Sequence, residues 1–236
     1  MLKFFAFFDL EKLKKIFTAL LLERSILVVS KDLENLTSCG LSFEHFLYPL
    51  EWLHTFVPIV PEHIDPHVFY QPFPFIYGTH PCIYEKLNKF QLENVLILLV
   101  DERKVLYGDR DKLPVQISEH LTKKLEFFGQ NLSFDHDSHL SSTSINKSRI
   151  NTNNLLATGS IRPFVDCVLM VLDNYREYIL FDYEKNDYRL NEVAYFKLKG
   201  VYSERDANSN SQKYNSNENE FYHEFRITQS FEEVNK

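Results

Sequence analysis

Seven of the chain's nine prolines fall between Pro49 and Pro81, a span of 33 residues. Proline fixes φ and carries no N–H, so a stretch this dense in it excludes a long helix and an unbroken central-strand ladder. The segment must run as short extended pieces and turns over a body that the flanking sequence supplies. Residues 66–84 form the longest run without a charge, yet they hold four prolines and two histidines. That rules them out as a membrane helix, which needs ~20 mostly apolar residues.

The flanks supply such a body. From Asp9 to Glu23, Leu10, Leu13, Phe17, Leu20 and Leu21 share one helical face, with Glu11, Lys12 and Lys15 opposite. Ser25–Ser30 (Ser-Ile-Leu-Val-Val-Ser) is short, β-branched and apolar on both faces, as in the buried strands of parallel sheets. A helix follows, with Asp32 and Glu34 in its first turn where its dipole favours them, and Pro49 ends it. Phe56–Val60 and Phe75–Tyr77 read as short extended runs, Val95–Val100 as a second buried strand with Val105–Tyr107 beside it, and 114–128 as another amphipathic helix. Alternating strands and helices predict an α/β fold with a mostly parallel central sheet flanked by helices.

Beyond residue 129 the composition changes. Gln130–Ser160 holds seven Ser and five Asn among few large apolar residues, which reads as a linker. A helix is expected next, with Phe164, Val168, Val171, Leu172, Tyr175 and Ile179 on one face, then a second polar insert over 203–220 and a closing apolar stretch from Phe221 to Phe231. The expected organisation is an α/β domain over 1–129, a linker over 130–160, and a helical C-terminal part over 161–236.

Charge and cysteine usage exclude whole classes. The net charge is −7, and residues 1–129 carry 14 basic against 17 acidic groups. No basic module is present for a nucleic-acid backbone, so no nucleic acid is expected as partner. Cys39, Cys82 and Cys167 are far apart and cannot all pair, which suits a reducing compartment. The apolar run Phe4–Phe8 is only five residues long before Asp9, shorter than the ~7–15 apolar residues of a secretory leader. A cytoplasmic location without a transmembrane segment is the expectation.

Catalytic signatures are lacking. Gly40-Leu41-Ser42-Phe43 begins like a nucleophile elbow but has Glu44 where the closing glycine belongs. No Walker A loop and no GxGxxG occurs. His63 and His67 stand at helical i, i+4 spacing, but Pro66 lies between them, so they read as loop histidines and not as metal ligands. Asp135–His139 falls within the polar tract, and His80 with Cys82 makes a pair without a third member. No cofactor and no bond-making chemistry is expected. Trp52, the sole tryptophan, reads as a packed anchor, although tryptophan is also enriched at interface hot spots.

Four blocks in order carry a resemblance. They are Ala19-Leu-Leu-Leu-Glu-Arg-Ser-Ile-Leu-Val-Val-Ser30, Leu47-Tyr-Pro-Leu-Glu-Trp-Leu-His-Thr-Phe-Val-Pro-Ile-Val-Pro61, Gln71-Pro-Phe-Pro-Phe-Ile-Tyr-Gly-Thr-His80 and Leu99-Val-Asp101. Together they resemble the central part of DENN domains over residues ~10–115. Arg162-Pro-Phe-Val…Asn174-Tyr-Arg-Glu-Tyr-Ile179 and Phe221–Phe231 are similar to motifs of the downstream DENN subdomain. Two positions depart from the pattern: Leu53 replaces the glutamine of a Trp-Gln-His, and Val60 replaces the leucine before Pro61. The longin-like lobe that precedes these parts in a complete module has no counterpart, Met1 falling close to the first helix. The chain is therefore expected to be the central and downstream portions of a larger module.

The resemblance implies guanine-nucleotide exchange on Rab-type small GTPases in membrane trafficking and endocytosis, with recruitment to endosomal or vesicle membranes through partners. A scaffold of the same fold that binds GTPases or trafficking proteins without exchange is the alternative. By the same resemblance Trp52, Leu53 and His54 are the expected partner contacts. Leu22, Glu23, Tyr48, Pro49, Pro58, Pro61, Pro74, Gly78, Tyr175 and Arg176 are the motif positions expected to serve the fold.

Overall fold

A computed structural model describes residues 2–106, 111–133, 161–183, 186–199 and 217–234. The chain starts with helices α1 (Leu2–Phe7) and α2 (Leu10–Leu21), the latter capped by the Asp9 side chain accepting from the Lys12 amide at 3.0 Å. Strand β1 (Ile26–Val29), helix α3 (Leu33–Leu47) and strand β2 (Thr55–Val57) follow. After the 3-10 turn Pro66–Tyr70 come β3 (Phe75–Thr79), α4 (Pro81–Lys86), β4 (Leu96–Leu99), β5 (Lys104–Leu106) and α5 (Val115–Ser133). The strands form one sheet in the order β2-β3-β1-β4-β5, parallel except for β5, which runs antiparallel to β4.

Every residue of β1 is buried, because the strand is central and covered on both faces. Side chains alternate between those faces. Ile26 and Val28, with Ile76, Leu96 and Leu98, join a large core beneath the helices. Leu27 and Val29, with Phe75, Tyr77 and Ile97, join a smaller core that includes Phe69, Ile83 and Leu92. Asp101, just past β4, ties the carboxyl ends of two strands together: its oxygens accept from Ser30 Oγ at 2.7 Å and the Lys31 amide at 2.9 Å.

The C-terminal part comprises helix α6 (161–171), the hairpin β6 (Ile179–Asp182) and β7 (Asp187–Leu190), and helices α7 (Glu192–Leu198), α8 (Asn217–Arg226) and α9 (Gln229–Val234). It shares the large core. Phe164 stacks on Phe46 of α3 at 4.2 Å between centroids and meets Phe17 of α2 edge-on at 5.2 Å. Phe231 packs on Phe196 and Phe225, both at 5.3 Å. Tyr195, fully buried, donates from its hydroxyl to the Val171 carbonyl at 2.9 Å.

Three boundaries depart from the sequence expectation. The helix expected to reach Ile179 stops at residue 171, because Asn174 adopts φ 63° and turns the chain into a 3-10 turn and then β6. Asparagine tolerates that left-handed conformation better than most residues do. Helix α5 runs on to Ser133, since nothing in Gly129–Asn131 forbids another turn, and α8 begins at Asn217 within the expected polar insert. The rest of the expected linker, 134–160, and the insert residues before 217 lie outside the described residues.

The proline-rich block crosses the sheet at Gly78. Val60 donates its amide to the Gly78 carbonyl at 2.7 Å, and a Cβ on Gly78 would stand 1.9 Å from the Pro58 carbonyl oxygen. Backbone against backbone cannot yield, so Gly78→Ala is expected to cost about 3 kcal/mol by overpacking. At Gly40 the nearest atom to a Cβ is the tip of the Phe56 ring, 2.9 Å away, which can rotate. Gly40→Ala is therefore expected to cost about 1 kcal/mol. Denaturant unfolding of both variants checks this order.

Candidate partner-binding site

The site is assembled where α2 ends. Arg24 donates its amide to the Ala19 carbonyl at 2.8 Å and Glu23 to that of Leu20 at 3.2 Å, the paired bonds of a Schellman stop. Glu23 occupies the left-handed position, φ 50°, usually held by glycine. This places a carboxylate, only 7% exposed, in the middle of the protein. Its Oε1 accepts from the Ser230 amide at 2.8 Å and the Ser230 hydroxyl at 2.7 Å. Its Oε2 accepts from the Gln229 amide at 2.8 Å and faces His54 Nε2 at 2.6 Å. One side chain thus binds the first turn of α9 and the Trp52–His54 bend.

Arg24 points elsewhere. Its guanidinium grips Asp111 with two bonds of 2.9 Å and reaches Glu224 of α8 at 3.3 Å. Adjacent residues of opposite charge therefore hold both closing helices. Burial alone would push the Glu23 carboxyl up, but the hydrogen bonds from His54, Ser230 and Gln229 outweigh it and hold the group below its ordinary 4.5.

Among the expected contacts, Trp52 is half-buried, its indole N–H donating to the Thr55 carbonyl at 3.3 Å and its ring standing edge-on to His54 at 5.3 Å. Leu53 between them projects into solvent, 40% exposed. Of the motif positions, Leu22 is buried, Pro58 and Gly78 make the sheet crossing, Pro74 is half-buried before β3, and Pro61 is exposed.

Tyr48, Pro49, Tyr175 and Arg176, far apart in sequence, meet along one face. An open groove of about 740 Å³ lies between Glu44 and His45 of α3, with Tyr48 just past its end, and Ile161, Arg162, Val165, Asp166 and Leu169 of α6. Leu169 also lines an adjoining hollow of about 630 Å³ with Pro49, Leu50, Tyr175 and Arg176. This groove was not anticipated from the sequence. Its signal is there, however: Leu169 lies off the Phe164–Val168–Val171 stripe of α6, and Tyr48 ends α3 on the side away from Phe43 and Phe46.

Nothing in the described residues gathers for covalent or metal chemistry. Burial pushes the Cys39 and Cys167 thiols up to about 12, far from thiolate formation. His80 Nδ1 lies 3.0 Å from Cys82 Sγ at the start of α4, while His63 and His67 are exposed. Among the described residues no group of three or more His, Cys, Asp or Glu side chains could hold a metal ion, and no helix is long and apolar enough to cross a membrane.

The described residues form a mostly parallel α/β body with the helical C-terminal part clasped to it and an open groove between α3 and α6. Residues 1–103 match the family model of the DENN (AEX-3) domain. It is similar to DENN domain-containing protein 1B of Mus musculus, 29% identical over 126 residues that make up 52% of this chain and 16% of that protein. DENN domain-containing protein 1A of Homo sapiens is 29% identical over 126 residues, 52% of this chain and 12% of that protein. DENN domain-containing protein 2B of Homo sapiens extends the match to 172 residues at 29% identity, 70% of this chain and 14% of the relative. The chain thus spans a small fraction of the length of these relatives.

Glu23→Gln tests the clasp. A carboxyl whose native pKa lies below its unfolded value contributes stability that is fully present above the unfolded value and is lost as pH falls through the native one. At neutral pH the variant is expected to be less stable by about 2–3 kcal/mol, the worth of hydrogen bonds to a buried charge. The gap between wild type and variant should narrow as pH drops below 4.5, read by denaturant titration across that range.

Proposed function

We propose that this chain is a DENN-type docking unit that binds a Rab-type small GTPase and promotes release of its GDP. The DENN match over residues 1–103 carries this reading. The open groove between α3, Tyr48 and α6 supports it with a concave, partly apolar surface on which Tyr48 and Leu169 are exposed.

Exchange of this kind makes and breaks no covalent bond in the substrate. A partner that prefers the nucleotide-free GTPase weakens nucleotide binding by the same factor, because coupling between two ligands is reciprocal. Preference by about 10⁴-fold, equivalent to about 5.5 kcal/mol, moves such an equilibrium from 1:99 to 99:1. The protein needs a rigid face that fits the GTPase switch regions once the nucleotide has left. Tyr48 provides an exposed contact at the groove and Leu53 another in the loop that follows, with Trp52 and His54 packed edge-on on either side of Leu53 in the chain. On this reading it acts in the cytoplasm, at endosomal or vesicle membranes reached through its partners.

Release of fluorescent GDP from a panel of Rabs tests the reading. Acceleration by the wild-type chain of at least one Rab is expected. Leu53→Asp should reduce it about tenfold or more, since a charge buried in an apolar interface costs well over 1.4 kcal/mol. Binding in pulldown with unchanged release would favour a scaffold that engages GTPases without exchange. A panel with neither binding nor acceleration would overturn both readings.

A further inference from the structure

The Glu23 carboxylate serves two masters that are far apart in sequence. The Oε2 atom faces His54 at 2.6 Å and takes the Gln229 amide at 2.8 Å. The Ser230 hydroxyl lies 2.7 Å from Glu23 Oε1 and 2.9 Å from the carbonyl oxygen of Glu51, in the same loop as His54. A hydroxyl has one proton to donate, so Ser230 can satisfy only one of those oxygens at a time. Loop and helix therefore meet at two points, Glu23 and the Glu51 carbonyl. Both points involve the first turn of α9, and Thr228 fixes that turn by accepting from the Phe231 amide at 3.3 Å.

We propose that Glu23 and Ser230 couple the Tyr48–His54 loop to α9, so that engagement of a partner at Leu53 and docking of the closing helices form one linked equilibrium. Glu23 is then a positioning residue: it touches no partner, but sets the orientation of His54 and through it the Trp52–Leu53 bend. Removing any one donor leaves a buried carboxylate short of partners, which weakens its hold on the others. Reciprocity follows, since a ligand that shifts the loop by some factor must shift helix docking by the same factor. The charged groups around Glu23 do not compete for this role. Arg24 is committed to Asp111 and Glu224, and Glu51 contributes only its backbone carbonyl.

The inference rests on the GTPase-docking reading only for the identity of the partner; the coupling itself can be read without one. Trp52 is the sole tryptophan, so tryptophan emission excited selectively at the red edge, where tyrosine does not absorb, reports on the loop alone. In the full chain, Ser230→Ala and Glu23→Gln are each compared with wild type by acrylamide quenching of Trp52 and by amide hydrogen exchange of the peptide containing 229–231. Both variants are expected to raise Trp52 quenching and to speed exchange at 229–231 by about fivefold or more, the lower end of measured couplings. Ser230→Ala removes only a hydroxyl and keeps the backbone donors, so it serves as the test if Glu23→Gln does not fold. Faster exchange at 229–231 with unchanged Trp52 quenching would overturn the coupling. Addition of nucleotide-free Rab should then slow exchange at 229–231 in wild type. If no Rab binds but Trp52 responds to Ser230→Ala, the docking reading fails and the coupling stands. If Rab binds and exchange at 229–231 is unmoved, the coupling fails and the docking reading stands.

Discussion

The turn after α2 is the constraint on which the arrangement depends. Glu23 stands where glycine would be easiest, and the left-handed backbone costs roughly 1–2 kcal/mol for a residue with a Cβ. Against that stand the Ser230 hydroxyl, two α9 amides and His54, all gathered on one buried carboxylate. Hydrogen bonds to a charged group contribute about 1.5–3 kcal/mol each, so the bonds outweigh the strain even after the cost of burying the charge is deducted. The Arg24 pairs are a lesser matter. They are geometrically good, but the arginine side chain is 37% exposed, and pairs open to water contribute about 1 kcal/mol or less. Closure at the C-terminal end therefore depends on the glutamate more than on the arginine.

That closure positions the open face. The Phe164 ring stacked on Phe46 fixes α6 alongside α3, and Asn174 ends the helical run so that Tyr175 and Arg176 turn back beside Pro49. Had the helix continued to Ile179, those residues would have projected along its axis and away from the loop. The groove is thus a by-product of two local rules: aromatic packing at one end and a left-handed asparagine at the other.

Much of this was legible in the sequence. The central strands could be read because Ile26–Val29 and Leu96–Leu99 are apolar on both faces, which only a strand covered on two sides tolerates. The starts of α2 and α3 could be read near Asp9 and Asp32, which the structure makes their N-caps. The start of the β6–β7 hairpin could not, since Tyr175 and Ile179 continue the helical periodicity of the preceding segment although Asn174 has already broken the helix. The site was legible only in part. Glu23 stood out within its motif, but its partners on α9 lie about 200 positions away, and no local pattern links Glu23 to Ser230. His54 was expected as a partner contact from the resemblance, and nothing in its neighbouring residues signals the buried carboxylate it faces.

The two outermost strands, β2 and β5, are three residues each. The Trp52 indole occupies a carbonyl at the start of β2, and Pro58 immediately follows that strand. On the far side, Lys104 pairs with Glu102 at 2.7 Å beside β5. Short, charged or proline-bounded borders of this sort deny an incoming chain the row of backbone groups it would need to extend the sheet. At the borders of this five-stranded sheet an approaching chain therefore meets side chains and a proline in place of a long row of free backbone groups.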